Sequence, residues 1–241
     1  MEIFFCATEK KYGKEVVLDH LDLRFPLSKG IISFLGPNGI GKTTIMKLLA
    51  GILLPTAGTI TVTDGLDPYD GWAREHVAYC SSDDRYLSYK LTGIDNIVRY
   101  GVLKGVDRKT ILSNLEKYAE ILHFDSFLNK RVEQMSTGQK KMIKVLAAFC
   151  CGYPVLILDE PTNGLDEEAR QNLIDALIAM KKTTPCTLFV SSHDFEFIHR
   201  ITDTHLFMFG KDRVEMRTLH DASLEQLQSA YHAIKNGGNR S

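Results

Sequence analysis

Gly36-Pro37-Asn38-Gly39-Ile40-Gly41-Lys42-Thr43 fits the spacing G-x-x-x-x-G-K-[ST]. A polyphosphate needs several backbone N–H groups turned inward, and glycine lets the chain take positive φ and approach the oxygens with no side chain in the way. Gly36, Asn38, Gly39 and Gly41 would form that cradle, and Lys42 would bring a point charge to the β and γ phosphates. Thr43, followed by Thr44, would offer a hydroxyl to Mg²⁺. A glycine turn beside a surface lysine is the simpler reading of the same letters. The run nevertheless follows an apolar strand and opens a helix, which is the setting the cradle requires and which adds the helix dipole.

A second constellation ends the run Val155-Leu156-Ile157-Leu158-Asp159-Glu160, an apolar strand that delivers two carboxylates at its carboxyl end, where open α/β sheets bind ligands. One carboxylate can hold metal-bound water and its neighbour can activate an attacking water. Successive strand side chains point to opposite faces, so Asp159 and Glu160 are expected to take different jobs. Without the cradle, a strand ending in solvated acids would be the better reading.

The elements that must position these groups alternate. Strands are expected at 3–6, 16–25 and 31–35, with breaks at Gly13 and Gly30, then a helix at 43–49 ending at Gly51 and a strand at 59–63 closed by Asp64-Gly65. From about 91 to 151 the period becomes helical, with Ile111, Leu115, Tyr118 and Leu122 in register. A strand at 155–158, a helix at 167–182 and a strand at 187–191 then resume the pattern of a parallel sheet. The helix carries an apolar face of Leu173, Ile174, Leu177 and Ile178, opens with Glu167 and Glu168 and closes with Lys181 and Lys182. The tail at 224–234 is weakly amphipathic, and Gly237-Gly238-Asn239-Arg240-Ser241 is expected to fray.

Composition narrows the classes. At 241 residues with 44% hydrophobic and 24% charged residues, the chain is an ordinary globular sequence, so disordered, collagen-like and disulfide-scaffold classes fall away. Lysine plus arginine (29) balance aspartate plus glutamate (30), which leaves no basic field for a nucleic acid backbone. The five cysteines lack metal-type spacing and read as mostly core thiols in a reducing compartment. The longest uncharged run, 145–158, is too short for about 30 Å of hydrocarbon and is broken by Gly152 and Pro154. The expectation is a chain that neither crosses a membrane nor leaves the cell.

In their order and spacing these motifs closely resemble the ATP-binding cassette (ABC) ATPase family, over nearly the whole chain to about residue 217. Met135-Ser136-Thr137-Gly138-Gln139 looks like the family signature, Asp159-Glu160-Pro161-Thr162-Asn163-Gly164-Leu165-Asp166 matches its Walker B and D-loop segment, and Ser192-His193-Asp194 matches its switch histidine. Tyr12 resembles the aromatic residue that stacks on adenine. The resemblance implies an α/β P-loop NTPase fold with a mixed or parallel sheet core, an N-terminal antiparallel β region and a helical, signature-bearing subdomain. The whole of 1–241 would be one ABC ATPase domain. Its core would be 1–83 and 152–217, its helical subdomain 84–151, and its C-terminal helix and tail 218–241.

It further implies ATP and Mg²⁺ as cofactors, with Thr43 and Asp159 on the metal, Glu160 polarising water and His193 at the γ-phosphate. Ser136, Gly138, Gln139 and Asp166 would face ATP held by a second ABC subunit in a head-to-tail dimer, most simply a homodimer. A separate integral membrane subunit would carry the substrate path, placing this chain at the cytoplasmic face. Leu91-Thr92-Gly93-Ile94-Asp95-Asn96-Ile97 resembles the corresponding stretch of exporters. Local readings stay open beside these: Ser136 and Gln139 form an S-x-x-Q capping box, Asp166 is a good N-cap, His193 could be structural and Tyr12 a turn aromatic.

Two departures stand out. Where the family usually has a glutamine after the strand ending Val77-Ala78-Tyr79, this chain reads Cys80-Ser81-Ser82-Asp83-Asp84, so Ser82 or Asp83 occupies the slot and Asp83 could lend an oxygen to the metal. Thr137 stands where the signature has glycine. The first departure leaves open an ATP-binding regulator with weak turnover, and a soluble non-transport ABC ATPase stands beside it as the other alternative.

Overall fold

The computed structural model describes residues 1–63, 68–84, 86–122, 125–202 and 204–237. In chain order it runs β1 (Glu2–Tyr12), β2 (Glu15–Pro26), β3 (Gly30–Leu35), α1 (Lys42–Leu49), β4 (Ala57–Val62), α2 (Tyr69–His76), β5 (Val77–Cys80), α3 (Gly93–Leu103), α4 (Arg108–Leu122) and α5 (Asp125–Leu128). After a 3₁₀ turn come α6 (Thr137–Cys150), β6 (Val155–Asp159), α7 (Glu167–Thr183), β7 (Thr187–Ser191), α8 (Phe195–Ile201), β8 (Thr204–Met208), β9 (Val214–Thr218) and α9 (Leu224–Gly237).

Six strands form one sheet in the order β5-β6-β7-β3-β8-β9, all parallel except β9. Their residues alternate between two apolar cores, Leu156 and Leu158 on one face, Val155 and Ile157 on the other. Burial on both faces is why β6 and β7 read as unbroken apolar runs. One face is covered by α3, α4, α6 and α7. The other packs α1 and a three-stranded antiparallel sheet, order β2-β1-β4, through Phe5, Phe25, Ile45 and Met46.

β1 runs well past the expected 3–6, to Tyr12, because bulges let its pairing with β2 continue: the β1–β2 register shifts where Ala7 and His20 take positive φ of 44° and 48°. The described part of 91–151 contains helices and one isolated bridge, Thr92 to Arg131. On α7, Ile178 is only half-buried, and Ala176 and Met180 complete the apolar face with Leu173, Ile174 and Leu177. Four elements went unread: α2, α8, β8 and β9. Cys80, Cys150, Cys151 and Cys186 are buried and Cys6 is exposed, all as free thiols. The Asp64-Gly65 turn, the Leu122 side chain and the tail beyond Gly237 lie outside what is described. Among the described residues, no helix is long and apolar enough to cross a membrane.

Candidate functional site

The cradle joins the end of β3 to the start of α1. Gly39 and Gly41 take φ of 80° and 109°, and a Cβ on Gly36 would sit 2.7 Å from the Met208 carbonyl. Both facts tie these glycines to their positions. Gly41 caps α1 without a side-chain hydrogen bond, so the first N–H groups of this helix have no side chain of the N-cap residue as acceptor and suit an anion. The buried Lys42 ammonium donates to the carbonyls of Gly36 (2.7 Å) and Pro37 (3.2 Å) and lies 3.7 Å from Glu160 Oε1. Burial pulls its pKa below that of an ordinary lysine, and the Glu160 and Asp159 carboxylates counter part of that pull. Thr44 is buried behind the loop and Asn38 is exposed on it.

Asp159, the last residue of β6, is 2% exposed. Its Oδ1 accepts from Thr43 Oγ1 (3.1 Å) and Ser191 Oγ (2.7 Å), and its Oδ2 from the Tyr79 hydroxyl (2.9 Å). Glu160 does differ in direction from Asp159, but not through strand alternation. It has left the strand and holds φ at +47°, so a left-handed turn aims its side chain. Glu160 Oε2 meets His193 Nδ1 at 3.0 Å, its N–H donates to Ser191 Oγ (2.8 Å), and its carbonyl accepts from Asn163 N–H (3.2 Å) and Lys141 Nζ (3.2 Å).

The Thr43 hydroxyl and Asp159 carboxylate, hard oxygens in direct contact at the mouth of the cradle, fit a small hard cation such as Mg²⁺ held together with phosphate oxygens. Asp83 lies in the loop after β5, with its N–H on Ser81 Oγ (3.2 Å) and its carbonyl on Lys144 Nζ (2.9 Å). Another grouping of metal-ligand atoms, Glu9, Asp19 and His20, lies on the antiparallel sheet, where Glu9 already pairs with Lys11 and Asp19 with His20.

Ser136 caps α6 in a full capping box, its Oγ accepting from Gln139 N–H and Gln139 Oε1 from Ser136 N–H, both at 3.2 Å. The serine proton is left for another acceptor. Asp166 caps α7 through Ala169 N–H at 2.8 Å. The two helix starts touch: a Cβ on Gly138 would lie 2.6 Å from that of Ala169. Tyr12 ends β1 with an exposed ring, and Lys10 Nζ is 5.6 Å from its centre.

Direct contacts therefore unite Lys42, Thr43, Asp159, Glu160 and His193. Ser136, Gly138 and Asp166 form a second group at the starts of α6 and α7. Tyr79, Ser191, Lys141 and Lys144 were not singled out from sequence, because each reaches the site from an element remote along the chain. Tyr231 of α9 was also missed; with Phe195 and His193 it lines a groove beside Gly36 and Asn38.

The sequence profile described as "ABC transporter" matches residues 18–163, more than half of the chain. The chain belongs to the ABC transporter family. That match takes in the cradle, the capped start of α6 and both carboxylates of this ABC transporter chain. Among its relatives, the lantibiotic transport ATP-binding protein SrtF of Streptococcus pyogenes is 31% identical over 222 residues, covering 91% of this chain and 92% of that protein. The ABC transporter ATP-binding protein NatA of Bacillus subtilis is 28% identical over 202 residues, 83% and 81% of the two chains. In three dimensions the dimeric bacterial ABC transporter cassette MJ0796 superposes with a TM-score of 0.75 at 22% identity, covering 91% of this ABC chain and all of that one. CbiO1 of Clostridium perfringens, described as part of the complex cbiONQ, gives 0.78 at 20% identity over 99% and 94%. These two likenesses carry the fold.

Proposed function

We propose that this chain is the ATP-binding subunit of a transporter, hydrolysing ATP with Mg²⁺ and driving transport through a separate membrane subunit. The observation that carries it is the placement of Glu160, in contact with His193, within 3.7 Å of Lys42, and anchored through Ser191 to the same site as Asp159. The cradle amides and Lys42 hold the β and γ phosphates, and Tyr12 stacks on the base. Thr43 and Asp159 would hold Mg²⁺, with Asp83 as a further oxygen; the ion neutralises phosphate charge when bound. Glu160 takes the proton of a water whose oxygen attacks the γ-phosphorus in line, and the bond to the β–γ bridging oxygen breaks to leave ADP. His193 orients Glu160 through Nδ1 and would contact the γ-phosphate.

Ser136, Gly138, Gln139 and Asp166 complete the site across a head-to-tail dimer, for which the dimeric cassette MJ0796 is the structural precedent. The dimer is most simply a pair of identical chains. Exposed Tyr86 and Tyr89, in the segment after β5, offer an apolar surface to the membrane subunit and would hold the chain peripherally at the cytoplasmic face. Export is favoured over import by the stretch 91–97 and agrees with a relative named for Nod factor export, while another, of Escherichia coli, is named for Fe(3+) ion import. Phosphate release by the purified chain tests the enzyme reading. Capture of Glu160→Gln with ATP in mild detergent, followed by mass spectrometry, tests the transport reading: a stoichiometric polytopic membrane protein supports it, and soluble partners alone overturn it.

A further inference from the structure

Two lysines on one face of α6 are buried almost completely, Lys141 at 5% and Lys144 at 7% exposure. An ammonium is costly to bury unless its protons find acceptors, and two like charges three residues apart on a helix add repulsion. Here acceptors converge on both. Lys144 Nζ reaches the carbonyls of Ser81 (3.3 Å), Ser82 (3.4 Å) and Asp83 (2.9 Å) and the Asp84 carboxylate (2.7 Å). Lys141 Nζ reaches the carbonyls of Ser82 (3.4 Å) and Glu160 (3.2 Å).

The Glu160 contact is the consequential one. Its backbone sits in the left-handed region, a conformation that surrounding structure must enforce for a residue with a long side chain. Ser191 of β7 takes its N–H, and Lys141 of α6 donates to its carbonyl. The turn that aims the carboxylate is thus pinned from the sheet on one side and from α6 on the other. Lys141 lies five residues beyond Ser136, about 7.5 Å along the helix at 1.5 Å per residue. Lys144 ties the 81–84 loop to the same helix.

We infer that Lys141, supported by Lys144, is a positioning residue for hydrolysis: it fixes the Glu160 turn and the 81–84 loop to α6, so that a displacement of the capped end of α6 moves the general base. The inference rests on reading Glu160 as that base. Lys141 makes no contact with the cradle, so its removal should lower kcat while leaving ATP affinity unchanged.

The test compares full-length wild type with Lys141→Met, Lys141→Arg and Lys141→Gln, by steady-state phosphate release at saturating ATP and by binding of a fluorescent ATP analogue. The expected result for Lys141→Met is a kcat lower by about 10- to 100-fold, the scale on which misplacing a catalytic group by about 1 Å acts, with the analogue Kd within about twofold of wild type. Lys141→Arg, which keeps the charged donor, should restore most of kcat. Wild-type kcat in Lys141→Met overturns the inference, as does parallel loss of kcat and nucleotide binding. Should Lys141→Met fail to fold, the Arg and Gln variants decide: turnover kept by Arg and lost by Gln at unchanged Kd supports positioning, and equal turnover in both overturns it. A wild-type chain that releases no phosphate would overturn the ATPase reading as well, whereas turnover insensitive to Lys141 overturns the lysine assignment alone.

Discussion

Ser191 Oγ, at the end of β7, donates to Asp159 Oδ1, at the end of β6, across 2.7 Å. The same oxygen accepts the Glu160 N–H at 2.8 Å, so one fully buried hydroxyl ties the two carboxylate residues together. Ser191→Ala leaves a buried carboxylate oxygen short of a donor and a backbone N–H short of an acceptor. The expected cost is about 1–3 kcal/mol of folding stability. Urea unfolding should show a lower midpoint with an unchanged slope. An unchanged midpoint would mean that water or a neighbour takes over both bonds.

Glu160→Gln keeps the size of the side chain and removes its capacity to take a proton. Steady-state hydrolysis should fall by about 10²- to 10⁴-fold while ATP binding persists and the dimer accumulates. Lys42→Ala should instead weaken ATP binding, since Lys42 belongs to the cradle. Phosphate release together with size-exclusion chromatography in ATP separates the two variants. Undiminished turnover by Glu160→Gln would remove Glu160 as the base.

What could be read from the sequence is what chemistry forces into a fixed local spacing. Gly36 to Thr43 and Asp159-Glu160 were visible because a phosphate cradle and a strand-end carboxylate pair are each built from contiguous residues. Tyr79 and Ser191 were invisible because they meet Asp159 from strands 80 and 32 positions away, and no periodicity records which strand lies beside which. Nothing in the sequence marks Lys141, and only the packing of α6 buries it. The strand rule of alternating side chains gave the right separation of Asp159 and Glu160 for the wrong reason, since a left-handed turn sets it. Strand β9 escaped because a half-buried edge strand, Val214–Thr218, has no unbroken apolar run to mark it.

Burial raises the thiols of Cys80 and Cys186 to about 11 and that of Cys151 to about 12, against an ordinary value of 9.0, and raises Cys150 further. At Cys80 the ammonium groups of Lys144 and Lys141 offset part of the rise. A folded pKa above the unfolded one means that the native state keeps protons the unfolded chain releases. The thiols' contribution to stability is therefore full below pH 9 and falls as pH rises, through the window from 9 to 11 for Cys80 and Cys186 and beyond 11 for Cys151 and Cys150, by up to about 1.4 kcal/mol per thiol per pH unit. Urea unfolding under reductant should show this thiol-linked loss between pH 7.5 and 10, offset in part by the buried Lys42, Lys104 and Lys141, whose lowered pKa acts in the opposite direction. Replacing Cys186 by Ala should remove one share of that loss, and an identical pH profile in wild type and variant would show that this thiol ionises without unfolding.

Gly138 has two reasons to be glycine, and a pair of substitutions separates them. A Cβ there would meet Ala169 Cβ at 2.6 Å inside the same chain, so Gly138→Ala should overpack the contact between α6 and α7 at about 1–3 kcal/mol. Ala169→Gly opens that space, and the double variant should regain most of the stability in thermal unfolding. If packing within the chain were the sole demand, ATP turnover would return along with it. The dimer reading predicts otherwise: the added methyl still stands where α6 presents its N-terminal amides to ATP on the partner subunit, so turnover should stay depressed in the double variant while nucleotide binding to the cradle is normal. Full recovery of turnover would confine Gly138 to packing and leave Ser136 as the residue through which α6 meets the second ATP.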